Sequence, residues 1–220
     1  MMLFSNGCSF LGPRPKDDVH TFTTKILAQE YQDTLTNLAM GGRGNYRISF
    51  TSKHWLDKFG SKDVFAVIGW SNFFRNDYVT NDGWKKGRIA GTDTTWRTWK
   101  TLDNIKFIRG NRGWDIENDA LVKFLDLVYN LQNYFENKKI AYVMYNALPN
   151  NLESKLQDVA DFKKNINWQR YYKPENSHLD FIIKNNDVVS PQDPHPSTEG
   201  HEKWAKQLKQ YIDANNLRTI

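Results

Sequence analysis

The sequence predicts an α/β fold, a parallel sheet wrapped by helices, and three observations predict it. Short apolar runs of strand length alternate with stretches whose apolar residues recur every three to four positions. No internal repeat, low-complexity tract or linker divides the 220 residues, which suits a single domain large enough to bury a core. One long excursion, residues 70–115, breaks the alternation without sustained periodicity, as an insertion over one edge of a sheet does.

The strands are expected at Leu3-Phe4, residues 34–38, residues 64–68 and residues 140–145, with a fifth near residues 179–183. Between them Phe22, Ile26 and Leu27 mark a first helix, and Ile48, Trp55, Leu56 and Phe59 a second. Leu121, Phe124, Leu125, Val128 and Phe135 form the strongest helical stripe. Residues 152–162 read as a further helical region that, with residues 168–172 after it, forms another wall at the carboxyl edge of the sheet, where the ligand crevice of a parallel sheet lies. The final helix carries Trp204, Leu208, Tyr211 and Ile212 on one face, which lets it lie across the sheet and hold the loop before it.

Hydrophobic residues make up 39% of the chain and aromatic residues 14%, enough apolar surface to offset chain entropy and exclude a disordered protein. No apolar run approaches the roughly 18–20 residues needed to span a bilayer. Met1 runs into the first strand without a charged leader, so the expected location is cytoplasmic or virion-associated. The single cysteine excludes an internal disulfide and fits a reducing compartment.

The formal net charge of +5 is unevenly spread. Residues 84–114 hold eight cations against two carboxylates, interleaved with Trp84, Trp96, Trp99, Phe107 and Trp114. Aromatic planes and cations together suit a sugar-like or anionic partner; a small satellite core beneath the insertion is the other reading. Nucleic acid ranks last among partners, because the rest of the chain is near charge balance and shows no nucleic-acid motif. No cofactor is expected, and neither a phosphate-cradling loop nor a metal-ligand spacing occurs.

Chemistry gathers near the two ends of the chain, in Asn6-Gly-Cys-Ser-Phe10 and Asp193-Pro-His195-Pro. A serine hydroxyl becomes a useful nucleophile when an imidazole takes its proton and an acid orients that imidazole. Ser9, His195 and Asp193 supply these roles, and in an extended segment residues 193 and 195 project to one side. Asp187 is the reserve acid. Cys8 is the rival nucleophile, although adjacent extended residues point oppositely and a buried apolar role suits it better.

These residues, together with Asn37-Leu-Ala-Met-Gly41-Gly42 and Val67-Ile-Gly69-Trp70-Ser71-Asn72, resemble the sequence blocks of the SGNH (GDSL-type) hydrolases, including phage and marine microbial members. The resemblance implies a three-layer α/β/α sandwich with a flavodoxin-like parallel sheet. It also implies an oxyanion hole from the backbone N–H groups of Ser9 and Gly42, with Ser71 or Asn72 as third donor. In this family the acid usually stands three residues before the histidine, and here it stands two before. Trp70, Arg75, Trp96 and Trp99 are the expected substrate contacts. The implied activity is a serine esterase acting on a short acyl ester, such as an O-acetyl group on carbohydrate. A catalytically decayed glycan-binding or virion structural module is the alternative. Acyl group, alcohol and oligomeric state stay open.

Overall fold

A computed structural model of the chain describes residues 1–75, 77–80, 83–86 and 116–219, with backbone alone for 78–80, 83–86 and 116. Five parallel strands form the central sheet in the order β2-β1-β3-β6-β7. They are β1 (Met2–Gly7), β2 (Thr34–Asn37), β3 (Val64–Trp70), β6 (Ala141–Asn146) and β7 (Tyr171–Ser177). A hairpin of β4 (Asp77–Thr80) and β5 (Gly83–Lys86) opens the excursion after β3, and a second antiparallel pair joins β8 (Val188–Ser190) to β9 (Asp193–Pro196). Trp96 and Trp99 lie outside the described residues.

The pleat sorts each strand's side chains into two cores. Leu3, Phe65, Val67, Val143 and Tyr145 face one side, where α1 (Thr23–Glu30), α5 (His178–Asn185) and α6 (Thr198–Ala214) cover them with Leu27, Leu179, Ile182, Trp204, Leu208 and Ile212. Phe4, Ala66, Ile68, Tyr142 and Met144 face the other, beneath α2 (Asn45–Phe59), α3 (Ile116–Asn137) and α4 (Gln157–Asn165). The result is a three-layer α/β/α sandwich. Among the described residues no helix is long and apolar enough to cross a membrane.

The fifth strand is not at residues 179–183. That segment is helix α5, and β7 precedes it. Ser177 starts the helix with a capping box, its hydroxyl accepting from the Asp180 N–H at 3.0 Å while the Asp180 carboxylate accepts from the Ser177 N–H at 3.0 Å. Leu179 and Ile182 are then buried while Ile183 is 54% exposed, a helical and not an alternating pattern. Strand β7 holds Lys173 and Pro174, which an edge strand tolerates, and its register shifts where it meets β6. The expected helix at residues 152–162 forms later in the chain, over Gln157–Asn165.

Two glycines on neighbouring strands, Gly7 and Gly69, stand opposite each other. A Cβ on Gly69 would lie 2.2 Å from Leu11 Cδ1, and one on Gly7 would lie 2.7 Å from the Gly69 carbonyl oxygen and 2.8 Å from Leu11 Cδ1. The pair forms a notch in which Leu11 is seated, and Leu11 closes the short 3₁₀ turn that carries Ser9. We expect Gly69→Ala to cost about 1–3 kcal/mol in urea unfolding, since overpacking forces the Leu11 turn to move.

His178 and His201 are both fully buried between α5, α6 and the sheet. His178 stacks on Trp204 with ring centres 4.7 Å apart, and His201 Nδ1 lies 3.1 Å from Thr23 Oγ1, joining α6 to α1. His201, in the first turn of α6, is thus a core contact. Burial pushes His201 down to about 3 and holds His178 well below 6.5, with His201 adding to the effect and a Gly200 backbone bond opposing it. Below pH 6.5 the unfolded chain therefore binds protons that the native state refuses, so stability falls as pH falls from 6.5 towards 3. The expected slope is roughly 1.4 kcal/mol per pH unit for each histidine. Urea midpoints at pH 7.5, 5.5 and 4.5 measure it, and His178→Phe should flatten it.

Candidate active site

The last residues of β1 lead into the site, and a buried asparagine anchors them. Asn6 Nδ2 lies 3.0 Å from the Ile48 carbonyl oxygen, 2.9 Å from Thr51 Oγ1 and 2.9 Å from Ser52 Oγ, all on α2. Its Oδ1 accepts from the Gly7 N–H at 2.9 Å and from Arg43 Nη1 at 3.0 Å. A fully satisfied buried amide of this kind fixes the strand end at one height above the sheet. Cys8 then turns inward and is fully buried, while Ser9, at the start of the 3₁₀ turn Ser9–Leu11, keeps partial access to solvent.

From the far end of the chain, β9 brings up the imidazole. Ser9 Oγ lies 2.9 Å from His195 Nε2, and His195 Nδ1 lies 2.5 Å from Asp193 Oδ1. With Nδ1–H donating to the carboxylate, Nε2 is the acceptor for the serine hydroxyl. Asp193 is held in turn by the Ser190 hydroxyl, which accepts from its N–H at 3.1 Å, and by the Arg14 guanidinium, which binds Oδ2. The Phe10 ring covers the imidazole with centres 5.1 Å apart. Asp187, the reserve acid, is elsewhere. It is buried against Lys203 Nζ at 2.8 Å, and its carbonyl accepts from the Ser197 cap of α6.

Electrostatics keep the imidazole neutral. Burial holds His195 below its ordinary 6.5, the cations of Arg14 and Arg75 push the same way, and the bond to Asp193 opposes them. Burial raises Asp193, but the bond and charge of His195 with the charge of Arg14 outweigh it, so its carboxyl stays below the usual range. Cys8 is raised by burial despite the cation of Arg75, which leaves it a protonated thiol sealed in the core.

Gly42 takes a left-handed backbone, φ 73°, in the turn that passes the serine, and a Cβ on Gly41 would lie 3.9 Å from Ser9 Cβ. The segment after β3 supplies Arg75, whose charge reaches both His195 and Cys8. Trp70 is not a substrate contact. As the last residue of β3 it alternates onto the α2/α3 face, where it is fully buried and packs edge-on against Phe124 at 5.8 Å.

Ser71 spends its N–H on Asn45 Oδ1 at 2.8 Å, and its side chain is fully buried, which removes it from the oxyanion donors. Asn72 Nδ2 donates to the Pro149 carbonyl at 2.7 Å, leaving one amide hydrogen for another acceptor.

Three residues that sequence reasoning missed hold this region together. Asn150 donates to the Ser71 carbonyl at 3.0 Å and to Asn146 Oδ1 at 2.9 Å, and accepts from the Phe73 N–H at 2.8 Å. Asn45 brackets Ser71 from α2 with two further bonds. Arg14 lies in a turn of no recognisable motif. The one available signal for Asn150 was an amide just beyond a buried strand, at the carboxyl edge where ligands of parallel sheets bind.

No family model matches the sequence. Solved structures do match its fold over almost its whole length. The psychrotrophic esterase EstA from Pseudoalteromonas sp. aligns over 97% of this chain and 98% of its own, with a TM-score of 0.56 and 10% identity. The chain has the SGNH-hydrolase fold. An acetyl xylan esterase, AlAXEase, shares this SGNH fold over 96% of the chain and 100% of its own, at TM-score 0.52 and 12% identity. So does the lipase Lip_vut3 from a goat rumen metagenome, over 96% and 97%, at 0.51 and 11%. In sequence, an alignment 103 positions long that covers 44% of the chain is 31% identical to the Type II methyltransferase M.MjaIV of Methanocaldococcus jannaschii, and it spans 32% of that protein's length. Among the described residues no three His, Cys, Asp or Glu side chains converge as metal ligands.

On the esterase reading proposed below, His195 must be neutral to accept the serine proton and loses that function when protonated. Because His195 is held below 6.5, the acidic limb of kcat/KM for p-nitrophenyl acetate is expected to have its midpoint below pH 6.5. A pH–rate profile from pH 4 to 8 measures it.

Proposed function

We propose that the protein is a serine esterase that cleaves short acyl esters through an acyl-enzyme. The observation that carries this reading is the unbroken chain Ser9 Oγ to His195 Nε2, His195 Nδ1 to Asp193 Oδ1, at 2.9 and 2.5 Å. In the proposed cycle Ser9 Oγ attacks the ester carbonyl as Nε2 takes its proton, and Asp193 stabilises the imidazolium. The tetrahedral oxyanion is met by the N–H groups of Ser9 and Gly42 and by the free amide hydrogen of Asn72, with Arg75 adding positive potential. The imidazolium returns its proton to the leaving alcohol. Water then repeats the sequence on the acyl-serine, and the carboxylic acid departs.

An acyl group on carbohydrate is the substrate class we favour. A cavity of about 330 Å³ between the segment after β6 and the residues around β7 is lined by Trp168, Leu152 and Pro174 together with Asn150, Asn151, Glu153, Glu175 and Lys163. An aromatic ring among amides and carboxylates suits a sugar, whose hydroxyls need both donors and acceptors. One protein of the same fold is an acetyl xylan esterase. The intact hydrogen-bond chain favours hydrolysis over the decayed binding module.

Ser9→Ala is expected to lower hydrolysis of p-nitrophenyl acetate by about 10³-fold or more. A fluorophosphonate probe should add its mass to the peptide holding Ser9 and leave Cys8 free; an adduct on Cys8, or undiminished activity in the variant, overturns the assignment. Faster acetate release from acetylated xylo-oligosaccharides than butyrate release from p-nitrophenyl butyrate would support the carbohydrate reading, and the reverse order would remove it.

A further inference from the structure

The Asp193 side chain is 28% exposed against 18% for His195, and it sits on a two-stranded pair that, among the described residues, belongs to no larger sheet. A carboxylate on such a segment has rotamer freedom that would let it leave the imidazole. What opposes this is Arg14, from the opposite end of the chain. Its side chain is only 10% exposed, and Nη2 binds Asp193 Oδ2. Asp17 holds the same guanidinium side-on, Oδ2 lying 2.7 Å from Nε and 2.6 Å from Nη2. The backbone around Arg14 is pinned as well. Its N–H donates to the Val19 carbonyl at 2.8 Å, and its carbonyl accepts from the Val19 N–H at 3.1 Å and from the Asp17 N–H at 2.9 Å. The two carboxylate oxygens of Asp193 are thus divided, Oδ1 to the His195 ring and backbone N–H, Oδ2 to Arg14.

We propose that Arg14 is a positioning residue for this site, its guanidinium holding Oδ2 of Asp193 so that Oδ1 stays on His195, with Asp17 holding the guanidinium. The inference rests on the esterase reading above. Arg14 acts through Asp193 and touches neither substrate nor reacting atoms. A lysine would be a poor substitute, because one ammonium cannot bind Asp17 side-on and reach Asp193 in the same plane.

Arg14 also sets the charge around the base. The groups that face or act on His195 are Asp193 on its own strand, Arg14 and Asp17 on the turn after β1, Ser9 below, Arg75 after β3 and His201 on α6. Removing the Arg14 cation while leaving Asp193 in contact makes the imidazolium easier to form, so the His195 midpoint moves up. A side chain that serves only to pack would not move it in that direction.

The test compares wild type, Arg14→Gln and Arg14→Lys by NMR titration of the His195 ring nitrogens and by kcat for p-nitrophenyl acetate. In Arg14→Gln the midpoint should rise by about half a pH unit or more, and kcat should fall about tenfold at the plateau. In Arg14→Lys the midpoint should stay near that of wild type while kcat still falls. A folded Arg14→Gln with an unmoved midpoint and kcat within twofold of wild type overturns the proposal. So does a fall in kcat matched by a large drop in Tm with no movement of the midpoint. Should Arg14→Gln fail to fold, Asp17→Asn replaces it; a smaller kcat loss supports the proposal, and wild-type kcat and midpoint overturn it. A wild-type protein that hydrolyses no ester and takes up no fluorophosphonate sinks the esterase reading alone, since the titration needs no turnover and still decides on Arg14.

Discussion

Everything at the carboxyl edge depends on the docking of helix α6 against one face of the sheet. The hydroxyl of Ser9 and the imidazole of His195 are 186 residues apart in sequence. Closing a loop of that length costs roughly 4–5 kcal/mol in its length-dependent part. Trp204, Leu208 and Ile212 are each buried to 1% exposure or less, and each contributes roughly 1.5–3 kcal/mol. Three side chains therefore suffice to offset the closure. The contact of His201 with Thr23 and the bond from the Ser197 hydroxyl to the Asp187 carbonyl then set where along α1 and β8 the helix begins. The backbone of β9, which carries Asp193 and His195, is thereby tethered at its carboxyl end.

The charge pattern around the base follows from the same assembly. Burial alone lowers the affinity of His195 for a proton, and two arginines from separate parts of the chain reinforce it. Asp193 opposes that effect, and Arg14 shares its charge. The site thus keeps an oriented carboxylate beside a neutral imidazole, the combination that the proposed activation of the Ser9 hydroxyl needs near neutral pH. The fully buried Cys8 beside Ser9 shows the same logic in reverse. It is chemically the stronger nucleophile when ionised, and burial denies it the ionised state.

Much of this was legible beforehand, for physical reasons that differ by element. The runs at Val64–Trp70 and Ala141–Asn146 are apolar on both faces because the sheet is covered on both sides, and a continuous apolar run of strand length has few other homes. The stripe of Leu121, Phe124, Leu125 and Val128 is legible because only a 3.6-residue period puts those side chains on one face. Residues 179–183 misled because a short apolar run is ambiguous between strand and helix, and the deciding signal was polar, the Ser177/Asp180 box. Trp70 looked like a substrate contact by its place in the segment Gly69-Trp70-Ser71-Asn72. Its direction is set by the parity of its position in β3, which the exact start of the strand decides.

By itself the sequence determined which chemistry the chain can offer, because residue identity alone makes a nucleophile, a base and an acid. It also determined the α/β alternation, since periodicity is a local property of the chain. Tertiary structure decided the rest. It placed Asp193, and not Asp187, against the His195 ring, sent Trp70 and Ser71 into the core, and brought Arg14 onto the second oxygen of Asp193. None of these has a local signature, because each depends on the distance between groups that only the packed sheet and helices bring within hydrogen-bonding reach.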